Sequence, residues 1–173
     1  ILSDEKNNMV ICDNDHGESA TISTNGEINF NNPFFKSLGT NGRACSHCHD
    51  ASTGWTITPE FVENEFIKSD GLAPLFRLVD GSNSPTADVS TLASRRDAFS
   101  MLLTKGLIRI GIGMPDTAEF SLQSITDPYG FATATELSLF RRPLPTANLK
   151  FVTSVMWDGR ESFEGKTLHE ALA

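Results

Sequence analysis

Five consecutive residues in the first third of the chain, Cys45-Ser46-His47-Cys48-His49, hold two of its three cysteines and two of its four histidines. Cysteines three positions apart lie on the same face of one helical turn, and the imidazole that follows is carried round beside them. This C-x-x-C-H pattern is typical of covalent haem attachment, with Cys45 and Cys48 as thioether sites and His49 as the proximal iron ligand. The sequence therefore predicts one covalently bound haem c.

Two other kinds of site use the same residue types. A thioredoxin-like redox pair requires a βαβ context, and nothing upstream of Cys45 is predicted to be a buried strand. A zinc site requires ligands beyond the motif, for which the chain offers only Cys12, His16 and His169. We therefore favour haem, and we interpret Cys12 as a plain thiol and His47 as a solvated residue.

The composition indicates one globular domain. The chain has 173 residues, of which 39% are hydrophobic and 21% charged. Its formal net charge of −8 disfavours nucleic acid and anionic lipid and favours a positively charged partner. No apolar run approaches the roughly 18–20 residues of a membrane span. We expect an irregular, polar N-terminal arm over 1–28 and a haem domain over 29–173.

The local patterns predict a mainly α fold, cytochrome c-like, with long loops and a small β element. Helices are predicted over 33–38, over 60–67, over 91–105 and at the C-terminus over 166–173. In the third of these, Ser90 is the expected cap, Gly106 the stop, and Leu92, Phe99, Leu102 and Leu103 the inward face. A loop is predicted over 71–90 and a strand over 118–125, whereas 134–140 is ambiguous between helix and strand. Phe34 and Phe35 are expected beside the haem turn.

The residue opposite His49 on the iron decides between electron transfer and reaction. Met114 is the favoured sixth ligand because it lies in the Gly-rich loop "IGIGMPDTAE", free of helical constraint. Met101, Met156, His169 and an open position remain alternatives. An arginine is expected to pair with the haem propionates. Arg109, between Leu107, Ile108 and Ile110, is favoured, and the other candidates are Arg95, Arg96, Arg141 and Arg142.

Two segments resemble bacterial di-haem cytochrome c peroxidases and MauG-type proteins. They are "NPFFKSLGTNGRACSHCHD" around the motif and "RRPLPTANLKFVTSVMWDGRESFEGKTLHEALA" at the end. The resemblance implies a periplasmic location and makes Trp157 an aromatic that helps electrons pass between two haems; a core anchor is the alternative. The family has a second C-x-x-C-H motif, which this chain lacks, and no histidine lies between 49 and 169.

We therefore expect a periplasmic c-type cytochrome domain that transfers single electrons, with His49 and Met114 on the iron. The alternative is the N-terminal half of a di-haem cytochrome c peroxidase, which reduces hydrogen peroxide, so enzymatic activity is left open. Two kinds of partner are expected: a redox protein, from the electron-transfer hypothesis, and a second haem domain on the same or another chain, from the resemblance.

Overall fold

The computed structural model describes residues 2–3, 8–37, 39–156, 159, 161–162 and 164–165. Among these residues it contains three short α-helices, several 3₁₀ turns and small antiparallel sheets, so the prediction of a mainly α fold was wrong. Glycine, proline and Asx turns interrupt the helical segments early, and alternating segments pair as strands instead. The helices are α1 (Pro59–Ser69), α2 (Leu92–Ala98) and α3 (Ser100–Lys105). The strands are β1 (Leu2–Ser3), β2 (Met9–Asn14), β3 (Gly17–Ile22), β4 (Ile108–Ile112), β5 (Leu137–Arg141), β6 (Ser154–Val155) and β7 (Glu161–Ser162).

A β-hairpin occupies the N-terminal region where irregular chain was predicted. β2 pairs with β3 in an antiparallel register that includes Val10↔Thr21 and Cys12↔Ser19, and β1 pairs with the other edge of β2. Val10 and Cys12 are buried on one face of β2, as the alternation of a half-buried strand requires. The two-residue turn at 15–16, followed by Gly17, closes the hairpin.

The hydrophobic core is formed mainly by side chains of α1, α3 and the loop after α1. The prediction of α1 is confirmed: the Thr58 hydroxyl caps its start by accepting from the Phe61 N–H at 3.2 Å. Cys48 packs against the edge of this core, which fixes one side of the C-x-x-C-H turn. The buried members of the core are Ile57, Val62, Phe66, Leu75, Phe76, Phe99, Leu102 and Leu103.

The helix predicted over 91–105 is divided at Phe99, which has φ −100° and ψ 17°. Buried Asn83 supports the break, because its side chain donates to the Asp97 carbonyl at 2.9 Å and accepts from the Met101 N–H at 3.1 Å. Thr91 rather than Ser90 is the cap, and Gly106 ends the second piece as predicted. Leu92 is exposed, in contrast to the expected inward face.

A second sheet follows α3. β4 pairs antiparallel with β5, with Arg109 opposite Phe140, so the ambiguous 134–140 segment is mostly strand. The strand predicted over 118–125 was wrong: this segment is irregular, and Phe120 is 72% exposed without an apolar surface to cover it. Of the predicted 33–38 helix the structure describes residues 33–37, and among these Pro33–Phe35 forms one 3₁₀ turn. None of the helices in the described ranges has the length and apolar character needed to cross a membrane.

Candidate functional site: the Cys45–His49 turn

The two motif cysteines lie on one turn and are both free. Cys45–His47 forms a 3₁₀ helix, and the Cys48 N–H donates to the Cys45 carbonyl at 3.1 Å. Cys45 is exposed and Cys48 is half-buried, with no disulfide between them. Two thiols on one turn are the arrangement that two thioether bonds to one porphyrin require.

His47 has a structural contact rather than the solvated position that was predicted. The Ala44 N–H donates to its Nδ1 atom at 2.8 Å, which satisfies the N–H of the residue that precedes the motif turn. The imidazole is half-buried. His47 therefore helps to shape the turn that presents the neighbouring cysteines.

His49 is oriented by a hydrogen bond to the main chain. Its Nδ1 atom lies 2.9 Å from the carbonyl oxygen of Trp55. A carbonyl oxygen only accepts, so Nδ1 must carry the proton, and in a neutral imidazole Nε2 then keeps its lone pair for a metal. Metal-binding histidines generally donate their other ring N–H in this way, which fixes both tautomer and orientation.

Trp55, whose carbonyl accepts from His49, is the residue of the candidate site that sequence reasoning missed. Its backbone has φ 62°, a left-handed conformation that is costly for a bulky side chain. A tight loop holds it there: the Trp55 N–H donates to the Asp50 carbonyl at 2.7 Å, and the Asp50 N–H donates to the Thr56 carbonyl at 3.0 Å. The available signal was a Gly-Trp pair in a polar stretch, six positions after His49.

Aromatic contacts hold the Trp55 ring. The ring lies 5.8 Å from Phe34 and 6.0 Å from Phe35 between centroids, and its Nε1 donates to the Thr21 hydroxyl at 2.7 Å. Phe34 also lies 6.3 Å from the His49 ring, so the expected position of these phenylalanines beside the motif is confirmed. The N-terminal hairpin and the Pro33–Phe35 turn thus both help to position Trp55, whose carbonyl is the acceptor of His49.

A half-buried ion pair adjoins Cys48. Arg43 Nη1 lies 2.7 Å from Asp80 Oδ2, and Arg43 Nη2 lies 3.5 Å from the Cys48 sulfur. Burial raises the pKa of the Cys48 thiol, and the neighbouring Arg43 guanidinium partly opposes this rise. The ion pair therefore ties the second motif cysteine to the loop after α1.

Arg109, the favoured propionate ligand, is buried among protein groups. Its Nη2 donates to the Val79 carbonyl at 2.8 Å, its Nη1 lies 3.3 Å from Glu136, and its guanidinium stacks 5.3 Å from the Phe131 ring centre. Only 3% of the residue is exposed. These contacts give Arg109 a structural role in β4, and its role toward a haem stays a prediction.

An open, mostly apolar groove of about 700 Å³ lies beside Thr56, the residue after Trp55. Arg141 and Arg142 border this groove, whereas Arg109 does not. The other two predicted arginines have protein contacts: Arg95 donates to the Asp70 carbonyl at 2.7 Å, and Arg96 pairs with Glu63 at 2.8 Å. The groove's remaining lining residues are Leu107, Phe140, Pro143, Leu144 and Pro145.

Met114 lies after β4 and is half-buried. Its N–H donates to the Ala134 carbonyl at 3.1 Å, which ties the loop to the chain before β5. Its role as the sixth ligand stays a prediction. Of the alternatives, Met101 is half-buried in α3 and Met156 is 48% exposed. Trp157 and His169, along with the predicted C-terminal helix, lie outside the described residues.

The part of the chain that the structure describes contains no set of side chains that could bind zinc. No three side chains of histidine, cysteine, aspartate or glutamate gather there in a metal-binding group. Cys12 is buried in β2, and burial raises the pKa of its thiol. A structural zinc site takes four such ligands.

The motif residues fit a covalently attached haem: two free thiols share one turn, and the adjoining imidazole carries its proton on Nδ1. The chain matches no family model, no curated protein and no solved structure.

Proposed function

We propose that this chain is a c-type cytochrome domain that transfers single electrons. A haem bound at Cys45 and Cys48 supplies a reversible one-electron iron couple. The observation that carries the proposal is the hydrogen bond from His49 Nδ1 to the Trp55 carbonyl, because it leaves Nε2 as the metal-binding atom. The resemblance to di-haem cytochrome c peroxidases and MauG-type proteins adds support and points to the periplasm.

The surroundings of the motif suit a carrier. Trp55 is locked by its loop, by two phenylalanines and by Thr21, so the His49 imidazole is held in one orientation. A preorganised ligand shell needs little rearrangement when the oxidation state changes. The net charge of −8 favours a redox partner with a positive surface. Met114 is proposed as the second axial ligand and Arg109 as a propionate contact.

The experiment is expression in a host that attaches c-type haem, followed by denaturation. We expect the denatured protein to remain coloured and its mass to exceed that of the polypeptide by one haem. A Cys45→Ala/Cys48→Ala double variant should lose the covalent pigment. The control variant Cys12→Ala, at the third cysteine, should keep it. A colourless wild-type protein with the mass of the bare chain would contradict the proposal.

The same preparation separates a carrier from a peroxidase. A carrier is expected to exchange electrons with small redox reagents and to show no turnover with hydrogen peroxide above that of free haem. Turnover well above that background would favour the di-haem peroxidase alternative, since peroxide cleavage requires an accessible iron and an acid–base group.

A further inference from the structure

We propose that the segment 143–146 is a positioning element that sets how strongly His49 donates to Trp55, and so tunes the oxidation–reduction equilibrium of the bound iron. This inference rests on the proposed function. It assigns roles to Thr56 and Thr146, which the motif itself does not indicate.

The Trp55 carbonyl accepts two hydrogen bonds. His49 Nδ1 lies 2.9 Å from the oxygen, and the Thr146 N–H donates to the same oxygen at 3.1 Å. A carbonyl oxygen has two lone pairs, so both contacts are allowed. Each donor draws electron density from the oxygen and weakens it as an acceptor for the other.

A second contact anchors the same segment. The Thr56 hydroxyl donates to the Pro143 carbonyl, so residues 55 and 56 both bind the 143–146 segment. Pro143 and Pro145 limit the backbone freedom of this segment and leave its remaining N–H groups as the available donors. The position of the Thr146 N–H is therefore set by the Thr56 anchor.

The strained backbone of Trp55 indicates why an anchor is needed. A tryptophan at φ 62° persists only where its surroundings determine the conformation. Such strain concentrates at functional positions. In this conformation the Trp55 carbonyl contacts His49, and the Thr146 N–H of the 143–146 segment binds the same oxygen.

The sign of the effect follows from ligand basicity. If the Thr146 N–H is removed, Trp55 becomes a better acceptor and the His49 imidazole gains negative character. A more basic ligand favours the oxidised iron. Loss of this donor should therefore lower the midpoint potential, and its presence raises it.

The main test compares Thr146→Pro with Thr146→Ala in the haem-loaded protein. The proline lacks the N–H, whereas the alanine retains it and removes only the side chain. We expect Thr146→Pro to shift the oxidised-to-reduced equilibrium several-fold toward the oxidised form, with a tenfold shift corresponding to about 59 mV for one electron. Thr146→Ala should leave the potential unchanged.

A second pair of variants, at Thr56, tests the proposal even if Thr146→Pro does not fold. Thr56→Val removes the hydroxyl that binds Pro143, and Thr56→Ser retains it. We expect Thr56→Val to lower the potential less than Thr146→Pro and Thr56→Ser to match the wild type. The His49 Nδ1 proton, observed by NMR in the reduced protein, should move toward a stronger hydrogen bond in Thr56→Val.

The outcomes separate the two proposals. A wild type without covalent haem refutes the proposed function, and the inference falls with it. Haem-loaded variants that all share the wild-type potential overturn the inference alone. Equal shifts in Thr146→Ala and Thr146→Pro, or in Thr56→Ser and Thr56→Val, also overturn it, because the donor or the anchor would then not be the cause.

Discussion

The Nδ1 atoms of His47 and His49 have opposite roles: that of His47 accepts from the Ala44 N–H at 2.8 Å, and that of His49 donates to the Trp55 carbonyl at 2.9 Å. Two imidazoles separated by one residue thus differ in the nitrogen that keeps its proton. Only His49 has its ring fixed by an acceptor in the manner of a metal ligand.

The first prediction concerns His47 as the acceptor of the Ala44 N–H. His47→Ala should lower the free energy of unfolding by about 1 kcal/mol, as loss of one hydrogen bond does, and should leave the absorption spectrum of the proposed haem unchanged. Urea unfolding and the absorption spectrum measure the two effects. His16→Ala, at an exposed hairpin position, serves as the control. An altered spectrum of the proposed haem in His47→Ala would contradict a purely structural role for His47.

The second prediction concerns the bond between Trp55 Nε1 and the Thr21 hydroxyl, 2.7 Å long. Trp55→Phe and Thr21→Val each remove it. A double-mutant cycle should give a coupling of about 1 kcal/mol, because the double variant loses that bond only once. Denaturant unfolding of the four proteins measures the coupling. Additive losses would show that the hairpin does not support Trp55 through this contact.

The third prediction compares two glycines with the same backbone conformation. Gly71 has φ +71°, and an added Cβ would lie 2.5 Å from the Phe66 ring; Gly130 has φ +67° and nothing within 4 Å. Gly130→Ala should cost about 1 kcal/mol, from the left-handed backbone alone. Gly71→Ala should cost about 1–3 kcal/mol more, from overpacking against Phe66. Equal melting temperatures for the two variants would contradict this account.

The fourth prediction concerns acid stability. Burial raises the pKa of Asp127, but hydrogen bonds from the N–H groups of Ala132, Tyr129 and Phe131 outweigh it and lower that pKa below its usual 3.8. The ionised carboxylate therefore contributes stability above pH 3.8, and this contribution is lost as the pH falls through the folded-state pKa.

Asp127→Asn should lower the free energy of unfolding by about 1–2 kcal/mol at neutral pH, and the difference from wild type should shrink in acid. Urea unfolding across a pH series measures both. Asp116→Asn, at an exposed position, makes the same charge change and should have little effect. A difference that does not depend on pH would contradict a role for the ionised carboxylate.

The fifth prediction concerns two arginines in different surroundings. Arg109→Lys should cost about 2 kcal/mol, because lysine cannot reproduce the contacts of a planar guanidinium with Val79, Glu136 and Phe131. Arg96→Lys, at a largely exposed ion pair with Glu63, should cost at most about 1 kcal/mol. Thermal unfolding of the two variants, prepared in the same way as the wild type, compares the losses. Equal losses would mean that burial of Arg109 adds nothing.

Local signals predicted part of the fold. α1 could be predicted because Thr58-Pro59 marks its start and its apolar residues follow a helical period. β4 was missed because its buried member is Arg109, whose long-range partners in other loops make a charged residue tolerable inside. The N-terminal hairpin was missed because its short β2 has only two buried residues, Val10 and Cys12.

The candidate site also has one part that local sequence signals predicted and one part that they did not. Cys45, Cys48 and His49 could be predicted because the spacing of a motif is local information. The acceptor of His49 could not, since a backbone carbonyl has no residue signature and Trp55 occupies an unusual φ. The contributions of Thr21 and Thr146 depend on tertiary contacts that no single-sequence pattern reveals.

The anchor between Thr56 and Pro143 joins residues 87 positions apart. Contacts across such long sequence separations are slow to form during folding, because a large loop must close first. The C-x-x-C-H turn, in contrast, consists of neighbours and can form as soon as its residues are synthesised. If haem is attached at this turn as proposed, the attaching enzyme would therefore meet a polypeptide in which the His49 imidazole has not yet gained its final hydrogen bond, and the redox properties would be set only at the end of maturation.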